Sequence, residues 1–526
     1  MPVIISQIKC GLSESCEAAV EKALKREGIS RADVLSADIY KSSVDARKQS
    51  DIRFVYSVIV SLKDKSREER LAKDKKLIYL PDTAPEAVKG SEKQSGRIVI
   101  AGFGPAGMFC ALTLAENGYR PVVIERGAAI DERVKKVSSF WSGGALDENT
   151  NVQFGEGGAG TFSDGKLTTR IKDPLCRHVL ERLVELGAPK EILTKAKPHI
   201  GTDKLRDVVK AIRERITEFG GEIYFDTRLD DITVSDGAVA EVKAGDMRLD
   251  ASCLVIAIGH SARDTVKMLL KNDIALEAKP FAVGARIEHL QAEVNKSLYG
   301  AYADDPRLPV GEYQMSYTQK DGQTCYTFCM CPGGVVVPAA SEQGGIVVNG
   351  MSEHARNGSN ANSAVVVAVN KNDFGSGVLS GMDFAREIER RAYAETGSYR
   401  APAMSVSEFT EGRPSAAALA SPTYAIGTAP ADLSRIFPTR VTGMMRKGLG
   451  VFARRMKCFA DGSAVLTAPE TRTSSPIRMP RDEQMRAVGF DNIYPCGEGA
   501  GYAGGITSSA VDGIKAALSI MERYAP

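Results

Sequence analysis

Apolar and polar positions alternate over residues 3–8, then apolar positions recur at helical spacing over 16–27 until Gly28 stops them. Alternation returns over 34–44 and 52–62, and a charged helical run follows over 66–75. That order of elements predicts a small α+β unit of ferredoxin-like type over 1–80. Residues 81–96, holding Pro, Gly, Ser and Lys, read as a linker. A second pattern follows: an apolar strand over 98–101, a helix over 105–117 and another apolar strand ending at Glu125. Further on, a helix over 205–219 leads to strand-like runs over 222–225 and 228–232, and 253–259 is an apolar strand entering a glycine. The texture changes near Pro280. Short β-rich runs over 281–288, 313–317, 324–330, 345–351 and 364–369 alternate with Gly, Asn and Asp turns, which predicts an antiparallel or mixed sheet. Helical spacing returns over 383–395 and 441–456, and the chain closes with a strand, a glycine loop and a helix over 492–518.

The 526 residues allow roughly three domains. Lys plus Arg number 68 against 66 Asp plus Glu, a net charge of +2, so no bulk field recruits nucleic acid or acidic lipid. Residues 1–80 carry 16 basic and 12 acidic side chains, a mild excess that reads as a solvated face and makes a nucleic-acid partner unexpected. The longest apolar stretches, 333–340 and 364–369, fall far short of the roughly 20 residues a membrane span needs. The start shows no basic segment followed by an apolar one, so a cytoplasmic location is expected. Ten scattered cysteines lack zinc-like spacing and read as buried thiols, with no metal site.

The strongest motif runs from Gly96 to Arg126. Its strand enters Gly102-x-Gly104-x-x-Gly107, and a helix opens at Pro105 and Ala106. Gly102 permits the turn, Gly104 lets a pyrophosphate approach the backbone, and Gly107 lets helix and strand pack closely. Glu125, followed by Arg126, closes the second strand where an acid accepts ribose hydroxyls. Strand, glycine triplet, helix, strand and acid together predict dinucleotide binding.

Residues 492–518 resemble the second flavin motif of the glutathione-reductase-type FAD superfamily. That resemblance implies that Gly497 and Glu498 hold the ribityl chain and that Gly505 and Ile506 open a helix toward the flavin N1/O2 edge. Glu498 stands where Asp is commoner. The same resemblance makes Gly259 the turn closing the FAD domain and Leu229 a backbone contact beside the adenine. It also places the glycine-dense loop after Phe154, with Gly158, Gly160 and Thr161, alongside the flavin. Together with 197–204, 328–334 and 470–478, these segments resemble a bacterial family of uncharacterised FAD-dependent dehydrogenases across nearly the whole chain. The resemblance implies a flavoprotein oxidoreductase and names no substrate.

The Cys329-x-Cys331 spacing is neither Cys-x-x-Cys nor Cys-x4-Cys, so a dithiol relay is not expected. No second dinucleotide motif follows a strand, so NADH or NADPH would either visit the flavin transiently or be replaced by another donor. Five polar residues are candidates for chemistry. His199 reads as a helix-entry histidine bonded to backbone, with a proton donor as the alternative; Arg472 and Arg478 hold a substrate carboxylate or the reduced-flavin charge, and Lys166 neutralises an anion, as does Arg170. Glu288 and His289 read as fold residues, with Arg286 and Glu288 on one strand face. The expected fold is α/β: a Rossmann-like FAD-binding domain over 97–279 and 490–526, an inserted mixed or antiparallel substrate domain over 280–489, and the N-terminal α+β unit. The expected activity is hydride or electron transfer between FAD and a small molecule, in an oligomeric state the sequence leaves open. Flavin-dependent monooxygenation is the alternative, and a nucleic-acid-associated or non-catalytic flavin scaffold is the alternative of another class.

Overall fold

A computed structural model describes residues 2–75, 77–79, 83–413 and 421–526. At the N-terminus, strands Val3–Cys10, Val34–Asp45, Arg53–Leu62 and Ile78–Tyr79 form an antiparallel sheet in which Val3–Cys10 lies between Arg53–Leu62 and Ile78–Tyr79. Helix Cys16–Glu27 starts at a Ser15 cap, stops at left-handed Gly28, and buries Ala19, Val20, Ala23 and Leu24 against the sheet. Helix Lys65–Lys75 completes the strand-helix-strand-strand-helix-strand order.

The first part of the predicted linker, at 81 and 82, lies outside the described residues. Residues 90–92 are stapled to the end of the chain: Gly90 N–H donates to Met521 O (2.7 Å), and Ala525 N–H donates to Glu92 O (2.9 Å). A Cβ on Gly90 would lie 2.2 Å from Arg523 O. Its glycine content therefore reflects close backbone approach rather than freedom.

The second sheet is parallel through Glu222–Tyr224, Val122–Ile124, Arg97–Ala101, Met247–Ile256 and Ile493–Pro495. The opening residues of Met247–Ile256 pair instead with the antiparallel ribbon Ala238–Ala244 and Asp231–Ser235. Helix Pro105–Glu116 is apolar on every side because it is enclosed by this sheet and by helix Ile506–Arg523. Small residues permit that approach: a Cβ on Gly513 would lie 2.1 Å from Ala106 O.

The third sheet runs Ser316–Thr318, Thr324–Cys331, Asn360–Val369, Phe281–Leu290, Val465–Glu470, Ala401–Ser405, Thr428–Pro430, antiparallel except for its last pair. Val283, Ala285 and Ile287 face a core shared with Met444, Met445, Leu449 and Phe452 of helix Thr439–Arg455. Arg286 and Glu288 share the opposite face, as the alternation predicts. The expected strand over 313–317 is confined to Ser316–Thr318, because the Thr327 hydroxyl takes the Met315 N–H (2.8 Å). The run over 345–351 becomes strand only at Val348, since Ile346 N–H docks on Glu389 O (3.1 Å). Val465–Glu470 escapes the alternation rule because all six residues are buried. No helix among the described residues is long and apolar enough to cross a membrane.

Candidate functional site

The dinucleotide turn is built as its glycines require. Gly102 has φ +104°, and a Cβ there would lie 2.4 Å from Ala257 O. A Cβ on Gly107 would lie 1.9 Å from Gly102 O, so this glycine is the packing contact between helix and turn. Gly104 differs. Its φ is −83°, and an added Cβ would meet only the Cα of Gly158, at 3.7 Å. Gly104 is thus free for close approach from outside, at the N-terminus of helix Pro105–Glu116, where first-turn N–H groups have no acceptor in the helix.

The predicted segments converge on this turn. Gly158 faces Gly104, a Cβ on Gly160 would lie 3.2 Å from Ile506 Cγ1, and one on Gly497 would lie 2.7 Å from Ala106 Cβ. A Cβ on Gly499 would strike Gly259 O at 2.4 Å, while Gly259, Gly504 and Gly505 face open space. Glu125 is buried and joins two of the segments: Oε2 accepts Phe103 N–H (2.8 Å), and Oε1 accepts Gly155 N–H (2.8 Å) and Gly127 N–H (3.0 Å). The Arg126 guanidinium stacks on Phe154 (4.4 Å) and donates to Asp264 (2.7 Å) and Thr265 (2.9 Å). Leu229 is buried among Val99, Ala101 and Ile124. Thr161 is also buried, with its carbonyl accepting the Thr202 hydroxyl (2.7 Å).

Arg133, which no sequence pattern marks, gives the glycine loop its shape. Wholly buried on helix Ile130–Trp141, it donates to five backbone carbonyls: Asn151 and Val152 (both 3.0 Å), Gly155 (3.2 Å), Glu156 (2.6 Å) and Gly158 (3.0 Å). Burial pushes its pKa down to about 9, which leaves it charged at neutral pH.

The residues expected to do chemistry fall into distinct settings. Arg472 is buried, donates to Glu389 (3.0 and 3.1 Å) and Ser341 (2.9 Å), and shares Glu389 with Arg263 (2.8 Å). Its guanidinium closes an internal ion cluster. Arg478 is exposed, lies in the short ladder with Glu277, and stacks on Tyr502 (5.3 Å). Lys166 is paired with Glu312 (3.1 Å), which also takes Lys197 (2.9 Å). His199 is buried beside the His354 ring; Nε2 meets His354 O (3.1 Å) and Nδ1 has no partner among the described residues. Burial, aided by Arg356, lowers its pKa to about 4, so it is neutral at pH 7 and fits a proton donor poorly. Glu498 is pushed up to about 7 by burial against the pull of Lys279, and Cys329 stands in the same patch. Glu288 and His289 hold the fold, through Thr423 (2.8 Å) and through Cys458 O (2.9 Å) and Tyr313 (2.7 Å) respectively.

A model described as an FAD binding domain matches residues 97–157, and one described as FAD-dependent protein, C-terminal domain-like, matches 280–473. Residues 1–61 match a domain of unknown function. An uncharacterized protein of Clostridium beijerinckii is 44% identical over 529 residues, covering 100% of this chain and 99% of that protein. The chain belongs to a family of FAD-dependent proteins. Solved structures similar to it include CtdE in complex with FAD, at 12% identity over 81% of this chain and 84% of that one, with TM-score 0.33. Glycine oxidase from Bacillus cereus ATCC 14579 matches at 11% identity over 80% and 94%, with TM-score 0.32.

The site fits the cofactor of this FAD-dependent family. Gly104 offers a side-chain-free approach at a helix N-terminus, and Gly259, Gly504 and Gly505 leave space along the same rim. Sequence reasoning missed His260, next to Gly259. Burial, Arg472 and Arg263 lower its pKa to about 3, and its Nδ1 meets Ser261 (2.8 Å). Its only sequence signal is its position after the strand-to-glycine turn.

Proposed function

We propose that this chain is an FAD-dependent oxidoreductase that exchanges hydride or electrons with a small molecule held between the cofactor and the third sheet. The observation that supports this most is the convergence of side-chain-free positions, Gly104, Gly158, Gly259, Gly504 and Gly505, on one rim at two helix N-termini. Bound FAD supplies hydride and electron chemistry. In this reading, Gly102 to Gly107 take the pyrophosphate, Glu125 the ribose, and the Leu229 backbone the adenine. Gly158, Gly160 and Thr161 line the flavin, Gly497 and Glu498 hold the ribityl chain, and Gly505 with Ile506 faces the N1/O2 edge. Residues 97–279 and 490–526 act as the cofactor domain, 280–489 as the roof, and 1–80 as a ferredoxin-like unit of the glutathione-reductase-type architecture.

Arg472 acts from within the ion cluster, orienting Glu389 and the neighbourhood of His260, while Lys166 and Glu312 set the charge of the roof. In this reading the electron donor is either NADH or NADPH visiting the flavin transiently or a different donor altogether. The experiment is anaerobic mixing of the purified protein with each nucleotide, followed by air. Bleaching of the flavin band and its return support the reading. Flavin that neither dithionite nor any nucleotide reduces while bound would exclude a redox role.

A further inference from the structure

Strand Val34–Asp45 lies at an edge of the N-terminal sheet, where backbone N–H and C=O groups are left without ladder partners. At Ser42 the partners come from outside the unit: Ser42 N–H donates to Thr194 O (2.7 Å) and Ser42 O accepts Ala196 N–H (2.8 Å), a parallel bridge to Lys195. Two residues earlier the strand bulges. Ile39 faces Val58 and Lys41 faces Ser57, and the extra residue, Tyr40, lies under the Arg177 guanidinium (5.3 Å). Arg177 in turn donates to Leu193 O (2.7 Å). The turn after this strand reaches the other way. Gln49 Nε2 donates to Ser297 O (3.0 Å) of helix Gln291–Tyr299, and a Cβ on Gly300 would lie 3.5 Å from Gln49 Cβ. One hairpin thus touches both the segment before Lys197 and the domain of the third sheet.

Segment 194–200 runs from that bridge to the cofactor loop. Lys197 pairs with Glu312 (2.9 Å), which also holds the partly exposed Lys166 (3.1 Å). Leu167 N–H donates to Pro198 O (2.9 Å), and Ile200 N–H donates to Gly165 O (3.1 Å). The unit that fastens this segment has a core of its own: among the described residues, the apolar cluster from Val3 to Ala72 shares no member with the other clusters. Its hairpin docks through hydrogen bonds and a stacked guanidinium rather than through a buried apolar face, the kind of contact that lets one domain move relative to another.

We propose that the N-terminal unit is a releasable clamp. Docked, it fastens 194–200 to the domain of the third sheet and holds Lys197, Glu312 and Lys166 together beside the glycine loop. Released, it frees that segment and opens the Lys166 side of the loop to a small molecule. What lies behind Lys166 rests on the cofactor site proposed above; the clamp itself does not.

The geometry supplies its own lock. A separation of 3.5 Å between Cβ positions suits a disulfide, so Gln49→Cys combined with Gly300→Cys in the full chain fixes the clamp on oxidation and releases it on reduction. Ser42→Pro loosens the clamp, since it removes an N–H that leaves the sheet. The readouts are hydrogen exchange over 195–201 and trace acetylation of Lys166 by acetic anhydride relative to exposed Lys320, both followed by peptide mapping. The oxidised double variant should exchange and acetylate at least about threefold more slowly than its reduced form, and Ser42→Pro at least about threefold faster than wild type. Strands Val3–Cys10 and Ile493–Pro495 should exchange as in wild type throughout. A pair that forms no disulfide, equal rates in its two redox states, or wild-type rates in Ser42→Pro would overturn the proposal. The locked and reduced forms are one protein, so that comparison stands even where Ser42→Pro unfolds the unit. Neither readout uses flavin, so a chain that failed to bind FAD would refute the proposed function while the clamp is decided on its own.

Discussion

Gly104 and Gly107 stand three residues apart in one turn, and the structure assigns them opposite sensitivities. In Gly104→Ala the new Cβ meets only Gly158 Cα at 3.7 Å, an ordinary contact, and the φ of −83° suits any residue. The folding cost is then that of a poorer helix cap, about 1 kcal/mol or less. The methyl group nevertheless occupies the approach to the helix N-terminus, and Gly104→Val fills it further. We expect Gly104→Ala to weaken FAD at least about tenfold, which is 1.4 kcal/mol, and Gly104→Val to purify without flavin. In Gly107→Ala the Cβ would lie 1.9 Å from Gly102 O, so backbone must shift. Overpacking of that kind costs about 1–3 kcal/mol or more. The assay is thermal unfolding of flavin-stripped protein beside fluorescence titration with FAD. Folded Gly104→Val with wild-type affinity, or Gly107→Ala as stable as wild type, would refute the reasoning.

Arg133→Met should cost at least about 3 kcal/mol, because it strands five carbonyls; hydrogen exchange over 149–162 should rise well beyond that of the rest of the chain. Arg472→Met should destabilise by about 3–5 kcal/mol by leaving Glu389 with less compensation, and adding Glu389→Gln should recover part of it in denaturant titrations. Burial works against ionised Glu312, yet Lys166, Lys197 and Arg356 hold its pKa at about 2. A depressed carboxyl contributes stability above its unfolded pKa, and that contribution of about 3 kcal/mol should fade as pH falls from about 4.5 to 2. Urea unfolding across that window should show a shallower loss in Glu312→Gln.

The cofactor turn was legible because each residue type there answers a local demand. Gly102 and Gly107 sit where a Cβ has no room, and the strand, helix and acid around them are contiguous in sequence. Helices such as Ser380–Thr396 and Thr439–Arg455 were visible to within three residues from apolar spacing. Arg472 was not legible as an ion-cluster residue, since its partner Glu389 lies 83 positions away on another element. Lys166 and Glu312 are 146 positions apart. Arg133 looks in sequence like one more polar residue of an amphipathic helix, and only the fold wraps 151–158 around it. Val465–Glu470 carries no alternation because both its faces are buried. What sequence hides here is pairing across long separations and burial on two sides.

We propose that this chain holds FAD across the rim from Gly104 to Gly505. The most direct measurement releases the cofactor from purified protein by heat, identifies it by mass spectrometry, and quantifies it against the chain. One FAD per chain in wild type, and none in folded Gly104→Val, is the expected result. Folded wild-type protein that carries no flavin and takes up none when FAD is added would contradict the account.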